Sequence, residues 1–396
     1  MLVLHKPIFT LLIFFSLVSG LKAASNTVSL SDKAEISILT CAPGEELYSV
    51  FGHSAIRVSD PKNEIDLAFN YGTFDFNTPF FYLKFGHGSL DYMLSVSSFK
   101  RFMREYFVEG RSVWEQELAL SPQQKQDIFE SLIENAQPEN RAYKYDFFYD
   151  NCATRVAFAV IEQLPGKPDF TVQLPADNLS FRDAIHPYLN SKPWTKLGID
   201  LILGAPADAR TDSLTIMFLP DYLMEQFSGI QFSMNGTQKG LVKGTELILD
   251  FSDKSVIKSE QLSPVLIIWF LAIVVIILSL GEHTGYIGRL KWLDIPLFLV
   301  GGVGGLVVTY LAFISDHFVT GSNWNLLWVN PIWFFLVTNG NNTIVNAIKK
   351  LQTLFLLIFL ISLPFSQQYI PAEFIPLVLI FLFRLIRPFS FLVKDK

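Results

Sequence analysis

The chain of 396 residues contains two cysteines, Cys41 and Cys152. The second lies in KYDFFYDNCATRVAFAVIEQL, residues 144–164, a setting that can make a thiol reactive. Asp146 and Asp150 precede it, and Val156, Ala159 and Val160 follow at helical spacing until Leu164-Pro165-Gly166 ends the run. Asp150 or Asn151 is a good helix N-cap, which predicts Cys152 in the first turn. Backbone N–H groups and the positive end of the dipole there favour a thiolate, the nucleophilic form of cysteine. The same position equally suits a small apolar residue packed at a helix start.

A thiol nucleophile needs a base. Of the six histidines, His5 falls in the leader, His283 on the cytoplasmic side and His317 at the membrane, leaving His53, His87 and His186. His87 sits in FGHGSLDY, which reads as a loop, and His186 precedes Pro187 in a helical stretch where a structural role is expected. His53 lies in YSVFGHSAIRVSD (48–60), whose alternation puts Phe51, His53, Ala55 and Arg57 on one face of a strand. After a turn at Asp60–Asn63, IDLAFNYGTFDF (65–76) returns as a second strand, carrying Asn70 and Asp66 as candidates to orient the imidazole. His53 and Cys152 would form a thiol–imidazole pair, with Asn70 preferred as the third member. No close cluster of His, Cys and carboxylates predicts a metal site. A Cys41–Cys152 disulfide is the alternative use of two cysteines in an exported domain.

The elements that must position these groups read as α+β. EISILTCA (35–42) predicts a strand and VWEQELALS (113–121) another; SFKRFMREYF (98–107) and SPQQKQDIFESLIENA (121–136) predict amphipathic helices, the second with a Ser-Pro start. Residues 166–226 read as irregular and helical, and 229–252 as strands around an Asn-Gly turn.

Half of the residues are hydrophobic, and they concentrate at the two ends, so the class is a membrane protein with one sizeable soluble domain. A net charge of −6 gives no nucleic-acid signal, and GGVGG (301–305) lies inside an apolar run where Gly301 and Gly305 would let two membrane helices approach. Residues 1–24 read as a signal peptide or signal anchor. Residues 26–262 would then be exported, followed by a five-helix transmembrane domain over 263–390 with apolar segments near 263–280, 295–314, 326–339, 351–364 and 370–387. Arg289, Lys291, Lys349, Lys350, Arg384, Arg387, Lys394 and Lys396 lie in alternate loops and around the C-terminus, whereas 315–325 and 364–373 carry no Lys or Arg. The positive-inside rule therefore predicts a multi-pass inner-membrane protein, its Cys domain in the periplasm and its C-terminus cytoplasmic. The loop at Asp316, His317, Asn323, Asn325 and Asn330 is expected at the outer face.

CAPGEELYSVFGHSAIRV, FNYGTFDF and DFFYDNCATR together resemble the Lnb family of bacterial lipoprotein N-acyltransferases. SFRDAIHPYLNSKPWTKLGIDLILG (180–204), FLPDYL (218–223) and DHFVTGSNWNLLWVNP (316–331) extend the likeness over nearly the whole mature chain. The His-before-Cys order with an Asn-Cys helix start is also similar to permuted papain-like thiol enzymes such as lecithin:retinol acyltransferase. The resemblance implies a permuted papain-like exported domain followed by an α-helical transmembrane bundle. It implies acyl transfer from a membrane phospholipid, through a Cys152 thioester, to the amine of a diacylglyceryl-cysteine lipoprotein, with no cofactor. Arg57, Tyr71, Asn151, Arg155, His317 and Asn325 are the candidate substrate contacts; surface ion pairs are the other reading of the two arginines. Two alternatives stand beside this: a membrane-anchored NlpC-type peptidoglycan peptidase or amidase, which shares the Cys-His core, and a non-enzymatic scaffold with a disulfide.

Overall fold

The computed structural model describes residues 28–172, 179–234, 237–254, 262–288, 290–337 and 342–386. The leader, the Asn235-Gly236 turn, Arg289 and the residues from Arg387 onward lie outside them. In chain order the N-terminal half runs β1 (Glu35–Cys41), β2 (His53–Asp60), β3 (Ile65–Thr73), α1 (Phe81–His87), β4 (Asp91–Ser98), α2 (Phe99–Glu109), β5 (Val113–Leu118) and α3 (Pro122–Asn135). It continues with β6 (Ala142–Lys144), α4 (Cys152–Ile161), β7 (Asp169–Phe170), α5 (Phe181–Ile185), α6 (Pro193–Ile202), α7 (Pro220–Gly229), β8 (Ile230–Met234), β9 (Thr237–Gly240) and β10 (Val242–Leu249). Strands in the order β10-β5-β1-β2-β3-β4-β6 form one sheet, antiparallel throughout.

Period-two alternation divides the core between the sheet's faces. Ile36, Ile38, Ile56, Val58 and Phe69 face α4 and α7, packing on Val156, Ala157, Val160, Leu223 and Phe227. Leu39, Cys41, Ala55, Ala68 and Val113 face the other way, onto Phe102 and Tyr106 of α2. Cys41 is thus in the α2-side cluster and Cys152 in the α4-side cluster, with the sheet between them. Both thiols are free, which corrects the disulfide alternative.

The helix at α3 starts as its sequence requires, with a reciprocal Ser121–Gln124 capping box and Pro122 at the first position. β2 is shorter than its alternation suggested, because Gly52 turns the chain with φ +81° immediately before His53. β4 and β6 were not anticipated. In β4 the strand passes directly into α2, Ser98 being both its last residue and the cap of that helix, so no turn residue marks the boundary.

The C-terminal half carries α8 (Pro264–His283), α9 (Lys291–Phe313), α10 (Thr343–Ser362) and α11 (Phe374–Leu385). Three segments, Pro264–His283, Lys291–Phe313 and Thr343–Phe365, are long and apolar enough to cross a membrane. The expected third segment, 326–339, is not a helix of that length: it is folded as 3₁₀ turns at Trp324–Leu327 and Pro331–Leu336. Asn323 and Asn330 cap these turns with their side chains, a local bonding pattern that competes with α-helix. Gly305 makes room for this segment: a Cβ there would stand 2.2 Å from the Asn330 carbonyl carbon. The glycines of α9 therefore admit the 3₁₀ segment and aromatic side chains, rather than a second long helix. At the opposite end of the bundle Arg384 bridges Asp294 (2.6 Å) and Glu282 (2.9 Å), joining α8, α9 and α11.

The two halves are joined by buried polar groups. Arg182 is fully buried and pairs with Asp200 (2.9 Å) and Asp208 (2.8 Å) while donating to the Leu203 and Gly204 carbonyls. His186 bonds Asp200 at 3.0 Å, the structural role its sequence context suggested. Asn323 donates to the Leu201 and Ile202 carbonyls, and Gln368 to Leu203. Both loops without Lys or Arg therefore contact the N-terminal half.

Candidate active site at the start of the cysteine helix

Asn151 is the N-cap of α4: its side-chain oxygen accepts from Thr154 N–H (2.9 Å), and the Thr154 hydroxyl accepts from Asn151 N–H (2.8 Å). Its amide group donates to the Phe147 and Phe218 carbonyls, both at 2.7 Å. This lattice holds Cys152 at the first helical position, facing the sheet. Three backbone N–H groups converge on its sulfur, from Cys152 itself, Ala153 and Ser54. Pairing of β2 with β3 begins only at Ile56, so beyond that point the β2 backbone is not engaged by β3. Burial raises the Cys152 pKa, while the three N–H groups and the Arg111 charge oppose that rise. The resting group is a neutral thiol in a site prepared for negative charge.

His53 precedes Ser54 at the first position of β2 and is partly buried. Its Nε2 lies 3.3 Å from Asn70 Oδ1. With the amide oxygen facing the ring, Nε2 carries the proton and Nδ1 keeps the free lone pair of a base. Asp66, the other candidate partner, is at the far end of β3, pairing with Arg57 at 2.8 Å. The hydrogen-bond partner of His53 among the described residues is Asn70, and no Sγ–imidazole hydrogen bond is present among them. Proton-transfer contacts often close only when substrate binds.

Desolvation, then the Arg111 charge, pushes the His53 pKa down from 6.5 to about 4. The sign for stability follows. Between about pH 4 and 6.5 the unfolded chain binds a proton that folded His53 refuses, so this group lowers stability as pH falls through that window. The base form of His53 survives through the same window. If His53 is the base, the acid limb of the reaction rate is expected near pH 4, well below that of an ordinary imidazole. A rate profile of the membrane-reconstituted protein between pH 4 and 8 checks this, and an acid midpoint at 6.5 would contradict it.

Three neighbours complete the site without having been singled out in the sequence. Gly72 has φ +84°, and a Cβ on it would lie 3.4 Å from that of Cys152 and 3.7 Å from the Tyr145 ring. The Tyr143 hydroxyl leans toward the Gly72 backbone without completing a hydrogen bond, and burial drives its pKa up, so it stays a protonated donor. Arg111 is buried, bonds the Ala42 carbonyl (2.7 Å) and Glu109 (2.8 Å), and its second terminal nitrogen has no hydrogen-bond partner among the described residues. The usable signals were a Gly at a strand end, and an Arg directly after the helix-ending Gly110.

The candidate substrate contacts separate. Arg57 is spent on Asp66 and Glu115 and stacks on Phe99 at 3.6 Å, on the α2 face away from Cys152. Arg155 forms a bidentate pair with Asp150 (2.6 and 2.7 Å) and covers the Tyr143 ring at 3.6 Å, close to the thiol but electrostatically occupied. Tyr71 is buried in the core, where its hydroxyl accepts from Asn135 (3.2 Å). Asn151 is a buried cap. Asn325 is fully buried, donating to Leu201 (3.1 Å) and accepting from Trp328 (2.9 Å), so it builds the joint between the halves. The polar atoms of these five side chains are engaged within the fold. His317 is half-buried, with Nε2 3.3 Å from the Phe85 carbonyl.

Cys41 lies on the α2 side, where burial pushes its pKa up to about 12 and Tyr106 is its hydrogen-bond partner. Cys41→Ala is expected to cost roughly 1–2 kcal/mol of stability and to leave the reactivity of Cys152 unchanged. Iodoacetamide labelling with peptide mapping checks this. Loss of labelling at Cys152 in a folded variant would connect the two thiols.

Fold and site together define a membrane-attached α+β protein with a buried thiol at a helix start, against the strand end that carries His53. The Lnb N-terminal periplasmic domain matches residues 22–181, and the Lnb transmembrane domain matches residues 256–396. The chain belongs to the Lnb family, whose members are membrane proteins of lipoprotein biogenesis. No curated protein and no solved structure matches it.

Proposed function

We propose that this protein is a lipoprotein N-acyltransferase of the inner membrane, using Cys152 as acyl carrier and His53 as base. The observation that carries the reading is a buried thiol at a helix start that three backbone N–H groups favour as thiolate, one of them from Ser54, the residue after His53. We read the sheet with its thiol-bearing helix as permuted papain-like. Residues 26–262 are assigned to the periplasm and the C-terminus to the cytoplasm.

In the first half-reaction His53 Nδ1 takes the Cys152 proton, and the thiolate attacks an ester carbonyl of a phospholipid. The N–H groups at the helix start hold the developing oxyanion. The C–S bond forms, the C–O bond breaks, and the lysophospholipid leaves with the proton returned by His53. In the second, the α-amine of a diacylglyceryl-cysteine lipoprotein attacks the thioester. The C–N bond forms, the C–S bond breaks, His53 accepts the amine proton, and the Cys152 thiol is restored. Asn70 keeps the tautomer that both steps need.

The position of the site also supports this reading over a peptidoglycan peptidase. β1 and β10 end, and β2 and β5 begin, at the same edge of the sheet, through the registers Cys41↔His53, Cys41↔Val113 and Leu249↔Val113. α8 follows β10 in the chain, and we place the site edge toward the membrane on that order. Intact-mass analysis of the protein in phospholipid vesicles tests the proposal. An acyl-sized increment on the Cys152 peptide, removed by hydroxylamine, is expected; an unmodified Cys152 peptide after exposure to donor lipid would overturn it.

A further inference from the structure

The segment FDFNTPFFYLKF (74–85) exposes an unusual set of aromatic and apolar side chains for a periplasmic domain: Phe76, Phe80, Tyr82, Leu83 and Phe85 are 64, 75, 84, 71 and 48% exposed. A patch of this kind marks a binding surface, and its partner can be identified from where it sits. Just beyond it the chain is fixed to the bundle. His87 Nδ1 is 2.8 Å from the Tyr310 hydroxyl, Asp316 N–H donates to the His87 carbonyl (2.7 Å), and His317 reaches Phe85. Tyr310 is three residues before the end of the membrane-length helix α9, about 4.5 Å along its axis. This sets α1 at the depth where a bilayer's hydrocarbon meets its headgroups. Lys84 and His87 supply the polar ends that such an interfacial segment needs.

The inner side of the same segment leads to the thiol. Phe81 packs on Phe74 (5.7 Å between centroids), Phe74 on Tyr92 (5.3 Å) and Tyr92 on Tyr145 (4.3 Å). Tyr145 and Cys152 flank Gly72. An apolar wall thus runs from the segment to the candidate nucleophile.

We propose that residues 76–85 are embedded in the outer leaflet and form the rim over which a lipid acyl chain reaches Cys152. The embedding follows from the contacts with α9 alone; the acyl-chain half rests on the acyl-transfer reading above.

Nitroxide labels at Tyr82→Cys and Leu83→Cys test the embedding, in full-length protein carrying Cys41→Ala and Cys152→Ala and reconstituted into phosphatidylethanolamine–phosphatidylglycerol vesicles. High oxygen and low nickel-chelate collision rates are expected at both. A label at Lys62→Cys, beyond the opposite end of β2 from His53, should show the reverse. Nickel-chelate access at 82 and 83 equal to that at 62 would overturn the proposal. In the otherwise native chain, Tyr82→Glu with Leu83→Glu should lower acyl loading of Cys152 from vesicle lipid at least tenfold, with iodoacetamide labelling of Cys152 unchanged. Undiminished loading in that variant would remove the rim role. Embedded labels in a protein whose unsubstituted form never becomes acylated would support the anchor and overturn the acyl-transfer reading instead.

Discussion

Cys152→Ser is expected to remove acyl loading and lipoprotein N-acylation together, with a fall of roughly 10⁴-fold or more, while the protein folds and inserts as before. A hydroxyl fits the space of the thiol, and the N–H groups from Ser54, Cys152 and Ala153 remain in place. What is lost is acidity. The imidazole, whose pKa is pushed down to about 4, is a weak base at neutral pH and cannot deprotonate a serine hydroxyl to a useful extent. The measurement is transfer of a labelled acyl chain from vesicle phospholipid to a diacylated lipopeptide, beside intact mass of the protein. Wild-type transfer by the Ser variant would disprove covalent thiol catalysis, because an oxygen ester would then be serving as the intermediate or none would be needed. Loss of transfer with a persistent hydroxylamine-sensitive adduct would move the acyl carrier elsewhere.

His53→Ala is the second large effect, a loss of roughly 10²–10⁴-fold. Cys152 is buried and its pKa raised, so without a base little thiolate forms at pH 7. The double variant His53→Ala/Cys152→Ala should be scarcely worse than Cys152→Ala, since members of one catalytic unit are non-additive. Raising the pH should recover part of the His53→Ala activity by ionising the thiol directly, an effect absent from Cys152→Ala. Multiplying losses in the double variant, or no recovery at alkaline pH, would mean that His53 acts other than by taking the thiol proton.

Much of the fold could be read from the chain because its signals are local. The start of α3 at Ser121-Pro122, the helix beginning at Asn151-Cys152 and the hairpin at Asp60–Asn63 depend on residues within a few positions of one another. Hydropathy likewise marked α8, α9 and α10, whose length and composition are set by the thickness of a bilayer. The third apolar segment is built of 3₁₀ turns instead of one long helix for the converse reason. Composition made 326–339 look like a span, but Asn323, Asn325 and Asn330 commit its polar groups to partners more than a hundred or some twenty residues away.

The sequence by itself determined an α+β domain with a thiol at a helix start, an imidazole on a strand, and a membrane-embedded C-terminal half. Only the tertiary structure decided which polar residues are free to act. Arg57 and Arg155 carry the same charge, yet strand pairing and helix packing spend one on Asp66 and Glu115 and the other on Asp150. Arg111, Gly72 and Tyr143 come to the site from three separate elements, so no spacing in the chain links them to Cys152. Burial also set the protonation of the site. The neutral thiol follows from desolvation working against the Arg111 charge, and the neutral imidazole from desolvation together with that charge; both effects exist only after the sheet and α4 have closed over the site.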